Sequence, residues 1–445
     1  MRTICVDLGV SFFKFAYFEE SHLIESFRLT APTSTPPVGG KHSFDLNLIY
    51  DLAKSGLDRL VKKYSDAEAI LISTQMHGFA LLNSSGRVIS DYYTWMDTCS
   101  NAEHGDGSVI DHLKQSVSEK TVLATGMQLK LGMPSIGLHL LKKTNRELFT
   151  QGDVSFVCLG DYIAKSLAQT DINFASYSNA AGSGLFDLKR MDWSHELLYK
   201  IDLESLDLPD LISGIDNPVG SYKGINIYSS IGDQQASLVG IWGADKPKNN
   251  SCVINIATGS QSSIRSTTLR LSNQYQTRPF VNGNFIFSVP FIPAGRALNS
   301  IVNFLHEAFL LIANVDLEKN LIWEKIQSIN LDSNYSDLTF NTDIIKSLSN
   351  NGGSISRITE ENLKLDNLLY SFFDDLTDRH IEACSIISGG SEIDEIMLAG
   401  GLPSKFSIVS KLIFEKTGLE PEKNKIMEDA LRGLNLLAQN TVTSW

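Results

Sequence analysis

The chain has 445 residues, 42% of them hydrophobic and 20% charged, with a formal net charge of −13. These are globular proportions, with enough apolar material for two or three packed domains. The acid excess argues against a nucleic-acid surface, which needs clustered Lys and Arg, and no run approaches the roughly 18 consecutive apolar residues of a membrane helix.

The N-terminus, Met1-Arg2-Thr3-Ile4-Cys5-Val6, leads directly into a strand and lacks the apolar core and cleavage site of a signal peptide. Cys5, Cys99, Cys158, Cys252 and Cys384 are scattered, with no CxxC pair and no histidine at metal spacing. A reduced, cytoplasmic protein without structural zinc is expected, with Cys5 and Cys252 as buried thiols.

Strand-like and helix-like segments alternate, which places the chain in the α/β class. Ile4 to Leu8 is an apolar run closed by Gly9, and Phe13, Phe15 and Tyr17 then alternate as a second strand after a tight turn. From Leu48 to Tyr64 the apolar residues Ile49, Leu52, Ala53, Leu57, Leu60 and Val61 fall on one helical face. Ala69 to Ser73 and Val154 to Cys158 read as strands, the latter followed by a helix from Asp161 to Leu167. Gly232-Asp233 opens an apolar helix. The polar stretch from Gly243 to Asn250 is the expected linker, dividing the chain into domains 1–244 and 245–445. Beyond it the strand-turn-strand pattern restarts at Cys252 to Ile256, turns through Ala257-Thr258-Gly259-Ser260 and extends to Ile264. A strand from Glu395 to Leu398, a glycine pair and a helix bearing Phe406, Ile408, Val409, Leu412 and Ile413 come near the end.

Four local patterns carry chemistry. In Asp7-Leu8-Gly9-Val10-Ser11-Phe12-Phe13-Lys14, a turn at Gly9 could present backbone N–H groups and Ser11 to a phosphate, with Asp7 holding a metal-bound water. Gln75-Met76-His77-Gly78 and Thr94-Trp95-Met96-Asp97 combine apolar faces with paired donors and acceptors, the mixture a sugar requires. In Ser230-Ile231-Gly232-Asp233-Gln234-Gln235-Ala236, a carboxylate in the first turn of a helix could take a hydroxyl proton, kept ionised by the helix dipole, with Gly232 leaving room for substrate. The last pattern is split: Asn255-Ile256-Ala257-Thr258-Gly259-Ser260-Gln261 offers hydroxyls to phosphates, and Leu398-Ala399-Gly400-Gly401-Leu402-Pro403-Ser404 lets backbone approach a ligand closely. Taken singly, each has an ordinary reading: a strand-end turn, a satisfied core histidine, a helix N-cap, a glycine turn.

In this order, and over nearly the whole chain, the four patterns resemble the FGGY family of carbohydrate kinases. Supporting runs are Gly160-Asp161-Tyr162-Ile163-Ala164, Tyr177-Ser178-Asn179-Ala180, Arg278-Pro279-Phe280 and Pro293 to Asn299; little is recognised from Asn314 to Ile387. The resemblance implies two ribonuclease H-like, actin-like ATPase domains with an active-site cleft between them, closing about a hinge near Gly243 to Asn250. It implies an ATP- and Mg²⁺-dependent kinase that phosphorylates a primary hydroxyl of a five- to seven-carbon ketose, of sedoheptulose or xylulose/ribulose type. Asp233 would be the catalytic base and, with Asp7, serve the metal. Gln75, Met76, His77, Gly78, Trp95, Asp97 and Gln234 would hold the sugar. Gly9, Ser11, Lys14, Thr258, Gly259, Ser260, Gly295, Gly400, Gly401 and Ser404 would hold the nucleotide. No nucleic-acid or membrane partner is implied, and a homodimer is compatible. The chain departs from the family at Val10, commonly Thr; at Cys99, often Arg; and at Ala257, commonly Gly. A sugar-binding pseudokinase and a non-sugar actin-like ATPase are the competing readings.

Overall fold

The computed structural model describes residues 1–34, 39–101, 107–150, 153–215, 217–243, 250–331, 336–345, 352–424 and 428–439. The described residues fall into two compact units: one drawn from Met1–Lys246, Ser266–Ile286 and Ile426–Trp445, the other from Pro247–Arg265 and Phe287–Lys425. A division at 244/245 would assign residues 266–286 and the helix Asp429–Gln439 to the second half, whereas both belong to the first unit. Residues 244–249, most of the expected linker and hinge, lie outside the described residues.

The first unit is built on a seven-stranded sheet. The opening strand Arg2–Leu8 pairs antiparallel with Phe12–Glu19, which pairs antiparallel with His22–Thr30. On its other side Arg2–Leu8 runs parallel to Ala69–Thr74, with Asp7 beside Ser73 and Leu8 beside Thr74. The short strand Ile231–Gly232 runs parallel to the same strand end, Gly232 beside Thr74. Ile4, Val6, Phe15 and Tyr17 are buried at 2% exposure or less, and so are Thr3, Cys5 and Ala16 at the alternate positions, so both faces of these strands are covered.

The covering helix runs from Leu46 to Lys63. It starts earlier than the apolar periodicity predicts because Asp45 caps it, accepting the Asn47 N–H at 2.8 Å, an interaction worth about 1 kcal/mol. Ile49, Ala53, Leu57, Leu60 and Val61 are its buried face, and Lys62 and Lys63 offset the helix dipole in the last turn. The helix expected from Asp161 spans Leu159–Ala168.

The last described helix, Asp429–Gln439, returns to the first strand. Asn435 accepts from Thr3 Oγ1 at 2.6 Å and donates to the Glu20 carbonyl at 2.8 Å. Gln439 donates to the Met1 carbonyl at 2.8 Å.

In the second unit the central strand Ser251–Ile256 pairs antiparallel with Gly259–Ser266 and parallel with Glu395–Ala399, which pairs parallel with Glu422–Lys423. The repeated strand-turn-strand module expected from the sequence is therefore present twice, each time flanked by a parallel strand. The weakly recognised region contains the helices Lys319–Ser328 and Leu365–Ser388. Cys5 and Cys252 are fully buried and all five cysteines are free thiols. Among the described residues no helix is long and apolar enough to cross a membrane.

Candidate active site

Three of the sequence patterns meet at the carboxyl ends of three parallel strands. Arg2–Leu8 ends beside Thr74, and Gly232 ends beside the same residue, so Asp7, Gln75 and Asp233 are brought together by strand register alone. Ligands of open α/β sheets bind at this end of the strands.

Asp233 is the first residue of the helix Asp233–Trp242, and its Oδ1 accepts the Gln234 N–H at 2.8 Å. The ionised form that the helix dipole favours is opposed by its surroundings. Burial raises its carboxyl, the Asp7 charge raises it further, and together they push it up to about 7. A carboxyl poised near neutrality suits a general base. Gly232 does not leave a space. A Cβ there would collide with the Met76 sulfur and Gln235 Oε1, so the glycine admits neighbouring side chains instead.

Asp161 explains how this segment is held. It is fully buried; Oδ1 accepts the Ser230 hydroxyl at 2.8 Å and the Ser230 N–H at 3.3 Å, and Oδ2 accepts Asn179 Nδ2 at 2.9 Å. Ser178 Oγ accepts the Gly232 N–H at 3.0 Å. The recognised runs at 160–164 and 177–180 thus anchor the strand that carries Asp233.

Gln75, Met76 and His77 adjoin Asp233. Gln75 is 8% exposed, and its Oε1 has no hydrogen-bond partner among the described residues. His77 has a left-handed backbone, φ 64°, which a non-glycine residue adopts only under constraint from its surroundings. Its Nδ1 lies 2.6 Å from the Gly182 carbonyl and therefore carries the proton, leaving Nε2 to accept from Arg278 at 3.0 Å. Burial, then the Arg278 charge, push His77 down to about 3, so it is neutral.

Arg278 is the principal site residue to which sequence reasoning gave no role. Its segment was recognised, but it follows the linker in the chain and was assigned to the other half. Arg278 is 6% exposed on the strand Gln276–Phe280, whose five residues are all buried. Nη1 donates to Gln234 Oε1 at 2.6 Å and contacts the Met76 sulfur at 3.1 Å; Nη2 donates also to Gln276 Oε1 at 2.6 Å. A charged residue inside a wholly buried strand was the available signal.

Trp95 is 40% exposed, whereas Asp97 is buried with both oxygens turned to backbone: Oδ2 accepts the His42 N–H at 3.0 Å and Oδ1 the Cys99 N–H at 3.1 Å. Asp97 thereby ties the loop together. A cavity of about 380 Å³ opens beside it, lined by Lys41, Phe79, Tyr93, Asp97, Cys99 and Met133 among others. Asp97 is the sole expected sugar-contacting residue in its lining.

Lys14 lies between two carboxylates, 3.7 Å from Asp7 Oδ2 and 2.8 Å from Glu428 Oε2. Asp7 also accepts Ser73 Oγ at 2.8 Å; burial raises its carboxyl, and Lys14 opposes the rise. The Gly9 N–H closes the turn on the Phe12 carbonyl at 3.2 Å, and Ser11 is exposed. Among the described residues no group of three or more His, Cys, Asp or Glu could hold a metal by itself. Mg²⁺ keeps several waters and takes phosphate oxygens, so one or two carboxylates suffice. Asp7 and Asp233, close enough for one to raise the other, fit that demand.

In the second unit Thr258 and Gly259 are exposed at the turn between strands. Ser260 is not: its hydroxyl donates to the Ile292 carbonyl at 2.9 Å and receives His380 Nε2 at 3.0 Å. His380 Nδ1 then accepts Ser262 Oγ at 2.9 Å, and burial holds this histidine down at about 3. The Gly295 N–H is committed to the Ala257 carbonyl at 3.0 Å. Gly400 has φ 87°, and a Cβ would strike the Ile256 carbonyl, so glycine is required there. Gly401 and Ser404 are exposed on the short helix Gly401–Lys405.

The N-terminal domain of the FGGY family of carbohydrate kinases matches residues 2–240. Xylulose kinase from Staphylococcus xylosus is 25% identical over 264 residues, 54% of this chain and 53% of that protein, so the match spans about half of its relative. Among solved structures, ligand-bound xylulose kinase from Lactobacillus acidophilus superposes with a TM-score of 0.83 at 19% identity, covering 99% of this chain and 89% of the other. Plasmodium falciparum glycerol kinase with ADP gives 0.81 at 15% identity, covering 100% and 90%. The fold is that of the two-domain, actin-like carbohydrate kinases. With more than half its length matched by the family's N-terminal domain, the chain belongs to the FGGY family of carbohydrate kinases.

Proposed function

We propose that this protein is an ATP-dependent kinase that transfers the γ-phosphate to a primary hydroxyl of a five- to seven-carbon ketose. The observation that carries the reading is the meeting of Asp7, Gln75 and Asp233 at the carboxyl ends of three parallel strands, with the Asp233 carboxyl pushed up to about 7. A sugar hydroxyl is a weak nucleophile. A carboxylate within reach orients it and accepts its proton as the bond to phosphorus forms. Asp233 has that role here, and Asp161 fixes its strand.

Gln75, Met76, His77 and Trp95 supply the mixed apolar and polar surface for the sugar. Thr258, Gly259, Gly400 and Gly401 supply exposed hydroxyl and backbone for the nucleotide. Ser260 and Gly295 contribute by shaping their turn, because their donors are already spent. Asp7 would hold Mg²⁺ through its water shell, and the ion would neutralise charge on the phosphate oxygens.

A coupled assay of ADP release across ketoses, aldoses and polyols tests the reading. Sugar-dependent turnover with a ketose as best substrate is the expected result. Clear preference for glycerol would overturn the ketose class, and ATP hydrolysis indifferent to every sugar would favour an actin-like ATPase.

A further inference from the structure

Burying a guanidinium is costly unless its charge is compensated and its donors are used. Arg278 meets neither condition in full with protein groups alone. Its four Nη hydrogens face Gln234, Met76, His77 and Gln276, none of which carries charge. Its Nε–H has no partner among the described residues, though the residue is 6% exposed. Asp233 offsets the charge from a distance without a hydrogen bond.

Two further buried atoms near it are unpaired, and both are acceptors. Gln75 Oε1 is one; Gln235 Oε1 is the other, on a side chain whose Nε2 reaches the carbonyl of Pro279, next to Arg278. One charged donor and two amide acceptors call for a ligand with both kinds of oxygen. Sugar hydroxyls can donate to the two amides. The guanidinium donates only, so its best partner is an oxygen that only accepts. A hydroxyl placed there must still find an acceptor for its own proton, whereas a carbonyl need not.

We infer that Arg278 is a specificity-determining residue of the sugar site, its Nε–H donating to the carbonyl oxygen of an open-chain ketose. The site thereby selects ketoses over the polyols formed by reducing that carbonyl. This rests on the ketose reading above.

The test compares a pentulose with its C2-reduced polyol as substrates of the wild-type protein, R278Q and R278K. The wild type is expected to favour the ketose. In R278Q, kcat/KM for the ketose should fall about 10- to 100-fold, mostly through KM, as loss of a charged hydrogen bond implies. The KM for ATP should change little, and the polyol rate should fall less than the ketose rate, so the preference shrinks. R278K, which keeps the charge without the planar fork, should restore part of it. An unchanged ketose-to-polyol ratio in a folded R278Q protein overturns the inference while leaving the kinase reading intact. Should both variants melt well below the wild type, calorimetric titration of the wild type decides: equal affinity for ketose and polyol overturns it. Preference for a sugar acid replaces the carbonyl with a carboxylate and also overturns it. Failure of the wild type to phosphorylate any ketose removes the ketose reading itself.

Discussion

Gly433, on the last described helix, packs against Gly240 on the helix that begins with Asp233. A Cβ on Gly433 would collide with the Ala236 carbonyl, and one on Gly240 with the Asp429 carbonyl. Arg432 Nη1 donates to the Gly240 carbonyl at 2.7 Å, capping the Asp233 helix at its end. The backbones therefore touch, and the C-terminal helix fixes the helix that bears the candidate base.

Gly433→Ala should destabilise the protein by about 1–3 kcal/mol, the usual cost of forcing extra volume into a packed contact. Urea unfolding would measure it. The variant's kcat should fall as well, because relief of the clash displaces the Asp233 helix. A variant as stable as the wild type would mean the two helices are free to part.

Asp233→Asn should lower kcat by about 10²–10⁴-fold, with sugar affinity largely retained. Stability should change in the other direction. The folded carboxyl is raised from 3.8 to about 7, so the folded state holds its proton more tightly than the unfolded chain. Wild-type stability is then greatest below the unfolded pKa and falls as pH rises toward 7. Asparagine removes that dependence. Thermal melts across pH 4–8 should show the variant gaining on the wild type as pH rises. In kinetics, an acid limb near pH 7 that is lost in Asp233→Asn belongs to Asp233; His77 stays neutral over this range, and Asp161, raised to about 6, titrates lower.

Asp161→Asn should be destabilising although the two side chains are isosteric. The carboxylate accepts from Ser230 on one oxygen and from Asn179 on the other. An amide must turn an NH₂ toward one of those donors, leaving a buried group unpaired at about 1–3 kcal/mol. Chemical denaturation tests this. Activity should drop with it, since Ser230 precedes the Asp233 strand by one residue.

Asp7→Ala should weaken Mg-ATP use far more than sugar binding. Its removal also leaves Lys14 to Glu428, 2.8 Å away, and to the charge of Asp429. Titrating Mg²⁺ at fixed ATP should show a higher requirement in the variant. An unchanged requirement would confine Asp7 to holding Ser73 and Lys14.

The strands and the Asp233 helix were legible because they depend on local periodicity and capping; the cap of the first helix was not, because Asp45 stands ahead of the periodic apolar residues. The meeting of Asp7, Gln75 and Asp233 was implied by the family resemblance alone, because the parallel pairing that joins their strands is non-local. The role of Arg278 was not legible. The chain crosses into its second half and then returns residues 266–286 to the first unit, and no local pattern records such a path. The return of the 429–439 helix was missed for the same reason: Gly433 inside an apolar helical run looks like a weak helix residue until its partner Gly240 is known. Asp97 and Ser260 show a different limit. Residue type and spacing named both, but the direction of a side chain is set by tertiary contacts, and here they turn toward backbone and core.

Thr258 and Ser260 stand two residues apart in one phosphate-like motif, and substitution should separate their roles. Thr258 is exposed at the turn. Ser260 is 6% exposed, and its hydroxyl is engaged on both sides, donating to Ile292 and accepting from His380. Removing it leaves His380 Nε2–H and the Ile292 carbonyl without that partner, deep in the unit. Ser260→Ala should therefore cost stability, about 1–3 kcal/mol, while raising the KM for ATP only modestly. Thr258→Ala should do the reverse, with an unchanged melting temperature and a KM for ATP raised about tenfold, the loss of one hydrogen bond to a charged phosphate. Because His380 is held neutral down to about pH 3, the Ser260 contact should not vary between pH 5 and 8. Steady-state kinetics on both variants, paired with thermal melts, reads the two effects independently. If Ser260→Ala raises the KM for ATP as much as Thr258→Ala at unchanged stability, the hydroxyl turns outward to the nucleotide, and the His380 contact is not what holds it.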